Sequence, residues 1–181
     1  LINPKVDLIL VETVFDTLNA KSALMAIKDV ENIHKIKIPI MISATITDLS
    51  GRTLSGQTVE GFYNSVIHSN PISIGLNCAL GPKELEPYLI ELDRISEVFV
   101  SVHPNAGLPN AFGEYDETPE SMGKFVKDWS NNNYLNIVGG CCGTTPEHIK
   151  VMKEQVKQKK PRQPKMVSDK LRLSGLEAFN F

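Results

Sequence analysis

The sequence lacks the long apolar runs and the basic stretches that mark two large classes of protein. No run approaches the ~18 apolar residues of a membrane-spanning helix, so we expect no membrane partner. The 181 residues carry 19 basic and 21 acidic side chains, a net charge of −2, and no basic stretch predicts a nucleic-acid partner. With 41% hydrophobic residues, the composition is that of a globular protein with one sizeable core.

Cysteine is scarce, and no leader segment is visible. The chain has three cysteines, an odd number at wide spacing, so we expect no disulfide framework. A reducing cytoplasm is the expected compartment, and there a cysteine cluster binds metal or performs chemistry. Residue 1 is Leu, and no charged-then-apolar segment precedes the fold. We therefore expect the interior of a larger protein, without a signal peptide.

Five short apolar runs predict five buried strands. Each run is continuous rather than alternating, which is typical of a parallel sheet that is covered on both faces. No glycine fingerprint for phosphate binding follows any of them, and this argues against a nucleotide-binding fold. The runs are "VDLILV" (6–11), "PIMISATI" (39–46), "ISIGLNC" (72–78), "VFVSVH" (98–103) and "LNIVGGC" (135–141).

The segments between these runs repeat apolar residues at helical spacing. The pattern predicts a first helix over about 17–31 and a last helix over about 146–158. Proline after Gly81, Thr118 and Thr145 marks three helix starts, because the first helical turn tolerates proline. Alternating strands and helices predict a parallel α/β fold, either a doubly wound sheet or part of a barrel. The pattern alone does not separate these two.

The periodic pattern stops near residue 158. We assign residues 1–158 to the α/β domain and residues 159–170, which are basic and proline-punctuated, to an exposed linker. Residues 171–181, "LRLSGLEAFNF", are apolar again and predict the start of another domain.

Polar residues gather at the predicted carboxyl ends of the strands, where parallel α/β folds place their sites. All three cysteines fall at this end of the sheet. The residues at these positions are Glu12, Thr13, Thr45 to Asp48, Asn77, Cys78, His103, Asn105, Cys141 and Cys142.

Three cysteines that converge from two strands predict a zinc site. Zinc binds thiolates at ~2.3 Å in a tetrahedron, and three protein ligands leave the fourth position open for substrate. Cys141 and Cys142 both reach the ion if the backbone turns at the strand end, and Gly139, Gly140 and Gly143 supply that freedom. The alternative is that Cys78 is a small buried apolar residue.

A thiolate-rich zinc ion favours thiol alkylation over hydrolysis. Three thiolates leave the complex at a charge of −1, which makes the metal a poor Lewis acid for water. It still keeps a substrate thiol deprotonated at neutral pH, and the sulfur stays electron-rich.

Four stretches, "GGCCGTTPEHI", "GLNCALGP", "HPNAGLPNAFGEYDETP" and "ISATITDLSGRTLSGQT", resemble the zinc homocysteine methyltransferases. The glycine-cysteine-cysteine motif with an earlier cysteine is shared by that whole superfamily. "ETVFDTLNAK", "DLSGRTLSGQT" and the "RLSGLE" tail are most similar to the homocysteine-binding domain of cobalamin-dependent methionine synthases. The resemblance covers residues 1 to 158, and the tail resembles the entry into the folate (pterin)-binding domain.

The resemblance implies a (β/α)₈ TIM barrel, of which this chain supplies about five of the eight βα units, the fourth to the eighth. It implies that Cys78, Cys141 and Cys142 bind Zn²⁺ and act through it, that zinc binds homocysteine, and that Glu12 receives the substrate's amino group. Methylcobalamin would supply the methyl group that gives methionine. The cobalamin-binding and folate-binding domains of the same polypeptide would be the partners.

Further residues near the expected site have two interpretations each. The Asn105 amide oxygen either takes zinc's open position when homocysteine is absent or accepts a bond from its own loop. Thr144 and Thr145 open a helix whose amides either receive the substrate carboxylate or are only capped by Thr145. His103 is expected to pack beside the ligands, and Asn77 either orients Cys78 or bonds at its strand end.

Five strands leave two open sheet edges, so we expect residues 1–181 alone to be poorly folded and inactive. Two alternatives to the cobalamin-dependent enzyme remain open. One is a cobalamin-independent homocysteine S-methyltransferase that uses betaine or S-methylmethionine. The other is a non-enzymatic structural or redox cysteine module.

Overall fold

Five parallel strands form one sheet in which spatial neighbours follow chain order. The structure is a computed structural model that describes residues 6–166 and 169–181. The strand order is β1-β2-β3-β4-β5, and every pairing is parallel. A doubly wound sheet reverses its strand order at a switch point, whereas a barrel adds each strand beside the last. The fold is therefore α/β, of the partial (β/α)₈ barrel type. The strands are β1 (Ile9–Val14), β2 (Ile40–Ala44), β3 (Ser73–Asn77), β4 (Phe99–His103) and β5 (Ile137–Val138).

A helix follows each strand, and side chains cap three of the helix starts. Asp16, Thr58 and Thr118 each accept a bond from a backbone N–H of the first turn. The three helix starts predicted from proline are confirmed, because α3, α4 and α5 begin at proline. The helices are α1 (Thr17–His34), α2 (Val59–Val66), α3 (Pro82–Ile95), α4 (Pro119–Asn131) and α5 (Pro146–Val156), with a 3₁₀ turn at Ile67–Ser69.

Of the five strands, β1 and β5 differ most in extent from their prediction. β1 reaches Val14 instead of residue 11, because β2 offers partners as far as Ala44. Glu12 and Thr13 therefore lie inside the strand and not after it. β5 is only two residues long, because its pairing with β4 ends at Val138. The glycines and cysteines that follow Val138 form a loop instead of the predicted strand end.

The two faces of the sheet have different chemistry. The register pairs Ile74 with Val100 and Leu76 with Val102, and all four side chains are fully buried in the helix-covered core. On the other face the pairs are Ser73 with Phe99, Gly75 with Ser101, and Asn77 with His103. Phe99 is 47% exposed there. That face is the one that a closed barrel turns inward, and its carboxyl end carries the polar residues.

The C-terminal segment folds back onto the sheet and its helices. Residues 159–166 are exposed except at Arg162, whose exposure is 2%, and their assignment as a linker stays a prediction. Arg162 donates to Asp93 and to the carbonyls of Asp93, Ser96 and Val98. A sequence rich in lysine and proline gives no hint of such a contact. Residues 167 and 168 of the predicted linker lie outside the described residues.

A short hairpin packs on α2. Its strands are β6 (Arg172–Ser174) and β7 (Ala178–Asn180). Asn64 on α2 donates to Leu173 O at 3.0 Å and to Asn180 Oδ1 at 2.9 Å. The assignment of residues 171–181 to a folate-binding domain stays a prediction. In the described part of the chain, no helix combines the length and the apolar character needed to cross a bilayer.

Candidate metal centre

The three cysteine thiols meet at the carboxyl end of the sheet. Cys78 Sγ lies 3.7 Å from Cys142 Sγ, and Cys141 Sγ lies 4.0 Å from Cys142 Sγ. All three sulfurs lie within 4.8 Å of one another. Tetrahedral zinc with Zn–S bonds of ~2.3 Å requires sulfur atoms about 3.8 Å apart. The predicted convergence of the three cysteines is therefore found in the structure, at a spacing that suits one tetrahedral ion.

Three consecutive residues at the carboxyl end of β4 hold the backbones of all three cysteines. Cys78 N donates to His103 O at 3.1 Å, and Cys141 N donates to Pro104 O at 2.8 Å. Cys142 N donates to Asn105 Oδ1 at 3.1 Å. The segment 103–105, which lies between the two cysteine-bearing loops, therefore sets the positions of both.

Cys78 leaves its strand in a left-handed conformation. Its φ is 64°, and Ala79 follows with a φ of 58°. Each such non-glycine residue costs about 1–2 kcal/mol, and strain of this kind persists only where the surroundings hold it. The bond from Leu80 N to Cys78 O, at 2.7 Å, closes this tight turn.

The glycines around the cysteine pair matter more because a side chain there would clash with neighbouring atoms than because of backbone freedom. A Cβ on Gly140 would lie 2.4 Å from Thr144 Cγ2, and one on Gly139 would lie 2.6 Å from His103 Cδ2. Of the three glycines predicted to provide backbone freedom, Gly143 alone has a positive φ, at 77°. The backbone turn after the adjacent cysteines is therefore made at Gly143.

Asn77 joins three strands just before Cys78. Its Oδ1 accepts from Thr13 N at 3.0 Å and from Ser43 Oγ at 2.7 Å, and its Nδ2 donates to Thr13 Oγ1 at 2.9 Å. Thr45 Oγ1 also donates to the Asn77 carbonyl. One hydrogen-bond network therefore fits both interpretations of Asn77. It links the ends of the strands, and it fixes Asn77 directly before Cys78.

Asn105 is 3% exposed, and its side-chain oxygen accepts the Cys142 N–H. The bond is to the neighbouring loop and not to its own. A role as the displaceable zinc ligand stays a prediction, since a carbonyl oxygen has a second lone pair.

Glu12 and His103 face the same end of the sheet. Glu12 is exposed and borders a cavity of about 150 Å³ together with Phe15 and Asn19. Burial lowers the pKa of His103, and the Glu12 carboxylate offsets part of that effect. His103 packs against Gly139, as expected for a residue beside the ligands.

The threonines before α5 already have partners. Thr144 donates through both its N–H and its hydroxyl to Cys141 O, at 3.1 and 2.7 Å. Thr145 N donates to His148 Nδ1 at 3.1 Å, and His148 Nε2 donates to Glu117 O at 2.8 Å. Substrate binding by Thr144 stays a prediction. It requires Thr144 to give up its bonds with Cys141 O and to donate to the substrate carboxylate instead.

Sequence reasoning missed Tyr115, which lies over the cysteines. A Cβ on Gly143 would lie 2.4 Å from Tyr115 Cγ, so the ring rests on the backbone next to Cys142. Burial, followed by the charge of the neighbouring cysteine thiols, raises the pKa of Tyr115. The only signal was an aromatic residue inside the polar stretch "GEYDE" that follows β4.

The donor set suits a soft divalent cation. Burial, together with the neighbouring Cys78 and Cys142 thiols, raises the pKa of Cys141 to about 12. Without a cation the cluster is therefore not fully deprotonated at neutral pH, and a bound cation replaces the protons. Three sulfurs, two of them half-buried and Cys142 exposed, can hold such an ion with one side open to a further ligand.

A barrel-type α/β sheet with three thiols at the carboxyl ends of its strands is an arrangement that can hold a metal ion through thiolates. The sequence model of the homocysteine S-methyltransferase family matches residues 1–156. The chain belongs to this family of methyltransferases.

Proposed function

We propose that this chain supplies the thiol-activating half of a homocysteine methyltransferase, with Cys78, Cys141 and Cys142 as the ligands of Zn²⁺. One observation carries the proposal: Cys78 Sγ lies 3.7 Å from Cys142 Sγ of a separate loop, and Cys141 Sγ lies 4.0 Å from Cys142 Sγ, both close to the spacing that tetrahedral zinc requires. Zinc, when bound, supplies the positive charge that keeps a substrate thiol deprotonated and nucleophilic. A lone pair of the homocysteine thiolate would form the new S–CH₃ bond of methionine, while the bond between the methyl group and its donor breaks and the donor leaves with that electron pair.

The residues around the thiols have matching roles in this proposal. Glu12 is an exposed carboxylate at the same sheet end and would bind the homocysteine ammonium group. Thr144 would donate to the carboxylate, and Asn105 would fill the open metal position until substrate arrives. These residues would bind the charged ammonium and carboxylate groups of homocysteine and leave the homocysteine sulfur at the metal.

Methylcobalamin is the methyl donor that we propose. Its support is the sequence resemblance in "DLSGRTLSGQT" and in the tail after residue 170, and it comes from no contact within the chain. We propose that cobalamin-binding and folate-binding domains belong to the same polypeptide and that the reaction occurs in the cytoplasm, where thiols stay reduced. We also propose that three further βα units complete the barrel, so that residues 1–181 alone are inactive.

Metal analysis of the complete polypeptide tests the proposal. We expect one zinc per chain, with three sulfur ligands at ~2.3 Å in the X-ray absorption spectrum and a fourth sulfur after homocysteine is added. Cys78→Ser should abolish the zinc, while Ser50→Ala, in the exposed turn after β2, should not change it. A metal-free protein with three reactive thiols would instead support the structural or redox module.

Comparing methyl donors then separates the two enzymes. Methylcobalamin, betaine and S-methylmethionine are each supplied with homocysteine, and methionine is measured. We expect methionine with methylcobalamin alone. Turnover with betaine or S-methylmethionine would identify the cobalamin-independent enzyme.

A further inference from the structure

Strand β1 contains one residue more than its neighbour β2 near its carboxyl end. The register shifts between Val11 and Val14, where three steps along β1 match two steps along β2. One extra residue opposite a partner strand is a β-bulge. Thr13 lies in this bulge with a φ of 54°, and a left-handed backbone is a genuine outlier for a β-branched residue. Regular strand geometry is therefore broken directly after Glu12.

The Asn77 side chain holds this bulge from β3, two strands away. Thr13 N donates to Asn77 Oδ1 at 3.0 Å, and Asn77 Nδ2 donates to Thr13 Oγ1 at 2.9 Å. Asn77 is 1% exposed, and Ser43 Oγ donates to the same Oδ1 at 2.7 Å. A strained backbone persists only where its surroundings hold it, and such strain is concentrated at functional sites. The strain at Thr13 is held by the residue that precedes Cys78.

The bulge leaves two consecutive residues on the face of the sheet opposite the helices. Val11 packs against the helix-covered core, and Val14 is buried within it. Residues three apart in a regular strand face opposite sides, so both valines reach the core only because the bulge lies between them. Glu12 follows Val11 and so faces away from that core, and Thr13 reaches the Asn77 amide. Glu12 and Thr13 therefore share the inner face with Asn77.

We propose that Thr13 is a positioning residue that fixes the Glu12 carboxylate relative to Cys78, so that the site selects thiols that carry an α-ammonium group. This inference rests on the proposed function, in which Glu12 binds that ammonium group and Cys78 binds the metal. Thr13 follows Glu12 in the chain, and its two bonds end on Asn77, directly before Cys78. Only a few bonds separate the nitrogen and the sulfur of an amino-acid thiol, so the carboxylate and the metal must be held at a matching separation. A thiol without the amino group needs the metal alone.

The test compares two thiols on the zinc-loaded complete polypeptide. 4-Mercaptobutanoate is homocysteine without its amino group, so the ratio of the two dissociation constants, measured by titration calorimetry, reports the ammonium contact. We expect the parent protein to bind homocysteine about 10- to 100-fold more tightly, the range for a hydrogen bond between charged groups. Glu12→Gln, which removes the negative charge, should reduce this ratio to about threefold or less.

Deleting Thr13 removes the bulge and restores a regular strand. Val14 then stays opposite Ala44, because the register on either side of the bulge is unchanged. The ratio should fall to about threefold or less because Glu12 is aimed differently, while each chain keeps its zinc and 4-mercaptobutanoate binding changes less than about twofold. Thr13→Ser, which keeps both the N–H and the hydroxyl, should hold the ratio within about threefold of the parent value. The control is Ser22→Ala, which removes a hydroxyl bonded to Leu18 O within α1 and should leave both constants unchanged.

Thr13→Val tests the same role even if the deletion variant does not fold, because it removes the hydroxyl and keeps the shape of the side chain. Its ratio should lie between those of the parent and Glu12→Gln. A ratio like the parent's in Thr13→Val or in the folded deletion variant, or an equal loss of affinity for both thiols, overturns the role of Thr13. A parent protein without zinc, or a ratio that Glu12→Gln leaves unchanged, refutes the proposed function and this inference with it.

Discussion

Replacing Asn77 with leucine tests whether one side chain fixes both the sheet and the metal ligand that follows it. Leucine fills a similar volume but leaves Ser43 Oγ, which is 1% exposed, without its acceptor. Thr13 loses two bonds nearer the surface. An orphaned buried group costs about 1–3 kcal/mol, and the two Thr13 bonds, at about 0.5 kcal/mol each, add about 1 kcal/mol, so we expect a loss of about 2–4 kcal/mol.

Native-state hydrogen exchange measures this loss within the complete polypeptide. Amides of β3 should exchange about 30- to 700-fold faster, since each 1.4 kcal/mol is a factor of ten. Zinc affinity, measured by chelator competition, should fall about 10- to 100-fold because Cys78 is displaced.

Asn132→Leu is the matched control for this substitution. Its side chain bonds only Asp128 O at an exposed helix end, and its change should stay within about 0.5 kcal/mol. Asn77→Asp keeps an acceptor for Ser43. Its loss of stability should lie between the losses of Asn132→Leu and Asn77→Leu. If β3 and the zinc affinity are unaffected in Asn77→Leu, the network does not hold the site, and the reasoning is refuted.

Three further predictions follow from packing and charge. Gly75→Ala should cost about 3 kcal/mol and lower zinc content, because its Cβ would lie 2.3 Å from Ser101 O across the β3–β4 pair. Arg162→Leu should cost about 3–5 kcal/mol, measured by hydrogen exchange along α3, because Asp93 and three carbonyls lose their donor. Zinc affinity should rise with pH between about pH 6 and about pH 8, by about tenfold per unit for each protonated thiol, because the raised pKa of Cys141 means that a proton must leave before the metal binds.

Each of these three predictions has a control variant or an outcome that would contradict it. Gly113→Ala, where no atom lies within 4 Å of the new Cβ, should cost only about 1–2 kcal/mol, from its positive φ. Lys159→Leu breaks an exposed bond with Asn131 and should change stability by less than about 1 kcal/mol. A zinc affinity that is flat across the pH range would mean that the thiols are already ionised.

The positions of the cysteines were predictable because they follow from the strand pattern. Parallel strands align their carboxyl ends, so residues 78 and 141 were expected at the same edge of the sheet once the strands were recognised. The strand order distinguished a barrel from a doubly wound sheet, and that needed the structure, because local patterns do not encode which strands are neighbours.

The details of the site could not be predicted because they depend on contacts between distant segments. The left-handed backbone at Cys78 and Ala79 is held by the surrounding loops and runs against the local preference of both residues. Tyr115 and Arg162 lie in stretches of polar and turn-forming residues. Only the folded chain places the Tyr115 ring against Gly143 and pairs Arg162 with the Asp93 carboxylate. Asn77 was noticed, but its bonds to Thr13 and Ser43 cross three strands.

The run His103–Pro104–Asn105 gives the three sulfurs a common frame of reference. Each of its residues accepts a hydrogen bond from the backbone N–H of a different cysteine. A tilt or slide of β4 therefore moves the three sulfur atoms together and leaves the distances between them unchanged. Small motions of the strands then do not separate the three sulfur atoms. Lengthening or shortening this run by a single residue would move the two loops out of step, and we expect such a change to be tolerated far less well than one elsewhere in the β4–α4 connection.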